Sequence, residues 1–146
     1  MNHSPATLLA EFLIGDMFLG DPEGSSLTWP AYVGFMPDKA AAPDDLVVLT
    51  DTEGLKDGRL MTGENVNHGG VQILVRCRSY GEGWAKLAAL CAALEAAAGE
   101  EIEISSSTSY TILNVSQQGP ILSLGLEEAT RRFLLTANFL TTIREE

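Results

Sequence analysis

The chain has 146 residues, 45% of them apolar and 20% charged, which is the composition of one globular domain with room for a sizeable core. Twenty acids against nine bases leave a net charge of −11, which excludes a generic affinity for DNA or for an anionic membrane. Cys77 and Cys91 are the only cysteines and form no CxxC pair, so a disulfide framework is excluded and a reducing compartment is favoured.

Ser4-Pro5 opens a helix, with Ser as N-cap and Pro in the first turn. Leu9, Phe12, Leu13 and Met17 form its stripe, widened by Leu8, Ile14 and Phe18, which predicts burial on more than one side. Gly20-Asp21-Pro22 is the expected stop. Glu11 and Asp16 interrupt the apolar run and no Lys or Arg precedes it, so it does not read as a signal peptide. It is also too short to span a bilayer, and the chain reads as cytoplasmic. Residues 20–30 read as loop, Ala31–Met36 as a short strand and Pro37–Asp45 as an exposed connection. Leu46–Thr50 is a second strand, Asp51–Gly54 a turn and Gly58–Glu64 a third, short extended piece.

Residues 69 to 99 are the centre of the pattern. Val71, Ile73, Val75 and Cys77 alternate with Gln72, Leu74, Arg76 and Arg78, the period of a half-buried strand. Ser79 and Glu82 fit a capping box for a helix from about Tyr80 to Ala98, closed by Gly99. Trp84, Leu87, Cys91, Leu94 and Ala98 are its expected buried stripe, which puts both cysteines in the core as free thiols. Tyr110–Val115 and Ile121–Leu124 are further strands, broken by Gln117-Gln118-Gly119-Pro120, and a turn over Gly125–Thr130 leads into the last strand. That strand places Phe133, Leu135, Ala137, Phe139, Thr141 and Ile143 on one face. The order of helix, three short strands, strand, helix and three strands predicts an α+β fold. It is a mainly antiparallel β-sheet with two principal helices packed on one face, in a single domain over residues 1–146.

Motifs for chemistry are scarce. His3 and His68 have no Cys or carboxylate at ligand spacing, and Asp51-Thr52-Glu53-Gly54 with Asp57 lacks the acid that would close a calcium loop. The serine-rich loop Ser105–Thr108 has no nucleophile elbow, and neither GxGxxG nor a P-loop occurs. No catalytic, cofactor-binding or metal-binding residue is predicted. The charged spots Arg76, Arg78, Glu127, Glu128, Arg131 and Arg132 read as subunit or partner contacts, and Asp44-Asp45 as solvated charge. The residues favour an assembly protein over an enzyme.

Two stretches carry a resemblance. Arg59-Leu60-Met61-Thr62-Gly63-Glu64 is followed by His68-Gly69-Gly70-Val71-Gln72-Ile73-Leu74-Val75-Arg76 and then by Tyr80 opening a helix. Gly119-Pro120-Ile121, Leu124-Gly125-Leu126-Glu127-Glu128 and Arg131-Arg132-Phe133 precede the final strand. Together these resemble the tail terminator (minor capsid, tail completion) proteins of long-tailed bacteriophages, over about half the chain. Gly70 stands where that pattern often has proline, and residues 20–57 have no counterpart in it. The resemblance implies a virion subunit of the tail or neck, assembled in the host cytoplasm. Its copies would form a homo-oligomeric, usually hexameric, ring between the tail tube protein and the head connector, and genomic DNA would pass through without specific binding. It implies no cofactor, no membrane and no catalytic residue. A head–tail connector, adaptor or neck protein is the neighbouring alternative. A small cytoplasmic ligand-binding protein or enzyme, with Trp84 lining a pocket, is the remaining one.

Overall fold

The computed structural model describes residues 1–24, 29–37, 42–55 and 60–146. Its elements are α1 (Pro5–Gly15), β1 (Ala31–Val33), β2 (Leu46–Leu55), β3 (Val66–Cys77), α2 (Tyr80–Glu95), β4 (Glu101–Ser105), β5 (Thr108–Gln117), β6 (Leu122–Glu127) and β7 (Arg132–Glu145). The strands form one seven-stranded sheet in the order β1-β2-β3-β7-β5-β4, with β6 also paired to β7. Only β1 and β2 run parallel; every other pair is antiparallel. The fold is α+β, with both helices on one face of the sheet.

The β3–β7 ladder sets the two faces. Val71, Ile73, Val75 and Cys77 stand opposite Phe139, Ala137, Leu135 and Phe133, so all eight project to the helix side. Val47 and Leu49 of β2 continue that face, and Ile112 and Val115 extend it through β5. Leu8, Leu9 and Leu13 of α1 and Leu87, Leu90 and Leu94 of α2 fill it, all of them buried. Each such leucine contributes about 1.5–3 kcal/mol of burial.

Helix α1 starts as expected: Ser4 Oγ accepts the Thr7 amide at 3.2 Å and Pro5 lies in the first turn. It stops at Gly15, well before Gly20. The Phe18 amide bonds to the Leu13 carbonyl at 2.9 Å and the Met17 amide to Ile14 at 3.0 Å, the double bond of a Schellman ending. Asp51, expected in a turn, lies within β2 and accepts the Ala6 amide at 2.9 Å, satisfying one of the helix's free donors.

Residues 51–55 remain strand because two glycines, Gly54 and Gly70, let the β2 and β3 backbones meet, while Gly69 makes room for α1. A Cβ on Gly54 would overlap the His68 carbonyl, one on Gly70 would overlap Thr52, and one on Gly69 would overlap the Pro5 ring. β3 accordingly begins at Val66 and takes in His68-Gly69-Gly70. The third extended piece expected over 58–64 is not a strand where it is described. Leu60–Gly63 is a turn in which the Gly63 amide bonds to Leu60 at 2.8 Å; Asp57, Gly58 and Arg59 lie outside the described residues. The serine-rich segment also differs from expectation. Ser105 ends β4, Ser106-Ser107 form a hairpin turn, and Thr108 opens β5. The turn before β7 is shorter than expected, since β6 runs on through a bulge at Gly125 to Glu127.

Trp84 is the main correction in the core. It is 41% exposed and stacks on the equally exposed Tyr80, whose ring meets Phe133 edge-on. The buried stripe of α2 is set by Gly83, where a Cβ would overlap Cys77 Sγ and touch Leu135. The helix sits that close to the sheet, and Trp84, one step round the helix, is turned to its rim. Gly83→Ala should therefore destabilise the fold by about 1–3 kcal/mol in urea unfolding, although alanine is the better helix former. Trp84→Ala should cost only about 1 kcal/mol. The opposite ranking would mean that the indole, not the glycine, seats the helix.

Candidate assembly surfaces

Five of the six charged residues singled out from the sequence converge where β3 ends and β7 begins. Arg76 is 1% exposed, on the face away from the helices. Its guanidinium donates to the carbonyls of Pro37 at 3.4 Å and Pro43 at 2.9 Å, tying the β1–β2 connection to the sheet. Asp44, read from sequence as solvated charge, meets Arg78 at 2.6 Å and Arg132 at 3.5 Å. Arg132 also pairs with Glu127 at 3.6 Å, and Glu127 accepts the Thr130 hydroxyl at 2.6 Å. Arg76, Arg132, Glu127 and Thr130 line, with Glu128, a recess of about 380 Å³. Arg131 stands apart: it is exposed, with φ +54, at the end of the β6–β7 turn. Arg78, Arg132 and Glu127 are thus engaged within the chain. The connection expected to be exposed is partly a strap, tied down at Pro37, Pro43 and Asp44, and Leu46 and Val48 on the same face as Arg76 are buried; residues 38–41 of it lie outside the described residues.

The apolar surface is what the sequence left hidden. β6 runs exposed along almost its whole length, pairs only with β7, and presents Leu122, Leu124 and Leu126. Leu55, Leu60 and Met61 are exposed around the β2–β3 connection. At the end of α1, Met17 is 90% exposed with φ +60, in the left-handed C′ position that ordinarily holds glycine. No spacing rule would have found it, because the expected helix ran on past it.

The groups with conventional reactivity are held in the structure. Cys77 and Cys91 are buried free thiols; burial pushes the Cys77 thiol up, and pushes Cys91 to about 11. His3 Nδ1 lies 3.0 Å from the Tyr110 hydroxyl, and His68 Nδ1 lies 3.0 Å from Thr142 Oγ1. Among the described residues no group of three His, Cys, Asp or Glu side chains could hold a metal ion. No helix among them is long and apolar enough to cross a membrane. No family model and no curated protein matches this chain.

Two stability measurements test these surfaces. Arg76→Ala should cost roughly 2–4 kcal/mol in urea unfolding, because it leaves a cavity and two part-buried carbonyls without their donor; a loss below about 0.5 kcal/mol would mean the strap holds without it. Met17→Gly should raise stability by up to about 1 kcal/mol, since it relieves a left-handed residue and removes almost no packing. A lower melting temperature in that variant would mean that the Met17 side chain is packed.

Proposed function

We propose that this chain is a virion structural protein of a long-tailed bacteriophage: a tail terminator whose copies close a hexameric ring on the tail tube, stop its growth and join it to the head connector. The role is architectural, without catalysis or cofactor, and its partners are its own copies, the tail tube protein and the head connector.

The observation that carries this reading is β6. A strand exposed along its length, with a free backbone edge and three leucines in solvent, is a liability in a monomer and a ready contact in an assembly. The exposed Leu55, Leu60 and Met61 lie on a different part of the surface, beside the start of β3. Contact between two unlike patches is head-to-tail, and head-to-tail contacts whose rotation closes produce rings. Of the motifs that resemble the terminator family, His68–Arg76 lies in β3, Gly119–Glu128 leads into and along β6 and Arg131–Phe133 opens β7, while Leu60–Gly63 of the remaining one is a turn. A ring built at −11 per chain repels the phosphate backbone, which suits a passage that DNA crosses without sticking.

Native mass spectrometry at micromolar concentration should find a closed oligomer, with six copies expected from the family resemblance. The double variant Leu124→Lys/Leu126→Lys should be a folded monomer. A wild-type chain that is only monomeric contradicts the reading. Random duplex DNA should give no mobility shift at about 150 mM salt. A shift that weakens as salt rises would favour a DNA-gripping connector.

A further inference from the structure

At the edge of the sheet opposite β6, α1 and β1 enclose a recess of about 460 Å³. Its floor is apolar, built from Ala10, Ile14, Val33, Tyr32 and Phe35, with the last two rings packed edge-on at 5.8 Å. Its rim is carboxylate: Glu11, Asp21 and Glu23. Ile14 and Asp21 are shared with a second recess of about 340 Å³ that includes Met17, Phe18 and Lys86. Among the described residues lining the two, the one amine is Lys86, and its Nζ is turned onto the Phe18 carbonyl. Glu11, Glu23 and the neighbouring Asp16 make no salt bridge among the described residues.

Volumes of this size take an apolar side chain or two. The unpaired carboxylates around the opening favour a cationic occupant and repel an anionic one. Met17 is the independent sign that the surface is used. Its backbone holds a conformation that glycine would adopt at no cost, while its side chain gains almost no contact within the monomer. A thioether adapts to the side chains of whatever packs on it.

We infer that the α1–β1 recess and the Met17 shelf beside it dock a short segment of a partner protein, one carrying an apolar anchor flanked by lysine or arginine. The inference rests on the assembly reading above for the partner being a protein, but not on ring closure, which uses β6 and the exposed Leu55, Leu60 and Met61 and none of the residues lining the recess.

The test is fluorescence anisotropy of the full chain with three short labelled peptides sharing a Leu-Phe-Leu anchor, flanked by lysines, by glutamates or by serines. The lysine peptide should bind and weaken as salt rises, the glutamate peptide should not bind, and the serine peptide should bind weakly. Met17→Gly and Phe35→Ser should each weaken the lysine peptide by about tenfold or more, while Leu124→Lys/Leu126→Lys should bind it as the wild type does. The inference is overturned by equal binding of all three peptides, by no binding of the lysine peptide, or by wild-type affinity in both recess variants. Native mass spectrometry of the same samples separates the two ideas. An oligomer lost in Met17→Gly would assign the recess to a second copy and also overturn it; a monomeric wild type that still binds the lysine peptide would sink ring closure alone.

Discussion

Twelve consecutive residue pairs between β3 and β7 hold this molecule in register. The period of two along that ladder decides which side chains face the helices and which face the strap, and a slip of one residue would exchange the two sets. Everything placed at the ladder's ends follows from it. At one end Cys77 meets Gly83 and fixes the approach of α2; at the other Gly69 admits the ring of Pro5 and seats α1. β7 then lends its second edge to β5 over its last half and to β6 over its first, so β6 is held on one side only. The exposed strand is a product of that sharing.

Two kinds of polar contact hold the frame without adding to the apolar core, one buried and one exposed. Arg76 is a buried cation whose hydrogen bonds end on main-chain carbonyls, which ties a connection to the sheet and gives it direction. The Arg78–Asp44 pair nearby is exposed, and such a pair contributes at most about 1 kcal/mol. The arginine-rich end is therefore first a structural clasp. The exposed apolar surface lies elsewhere: on β6, at Leu55, Leu60 and Met61, and on the shelf at Met17. A net charge of −11 keeps a chain with that much exposed apolar surface from indiscriminate association.

The α+β class, both helices and the faces of the long strands were legible because they rest on periodicity over many residues. Val71 to Cys77 and Phe133 to Ile143 alternate cleanly, and Ser4 and Ser79 are caps with a local mechanism. What was not legible depends on close approach. The exposure of Trp84 follows from Gly83 touching Cys77, and the persistence of β2 to Leu55 from Gly54 and Gly70 meeting across the sheet. The sequence does contain a signal for β4: Ile102 and Ile104 alternate with Glu101 and Glu103, though the serines after them obscured it. Five of the six charged residues expected as contacts do gather in space, without Arg131, yet the partner that organises them, Asp44, lies far from them in the chain. Met17 could not be found from pattern, because its interest lies in a backbone angle.

Whether copies of this chain close on one another decides between a ring subunit and a lone domain. Negative-stain electron microscopy of the purified protein addresses that directly. Closed rings of uniform diameter with an axial opening are the predicted result, and single small particles across the micromolar range would contradict it.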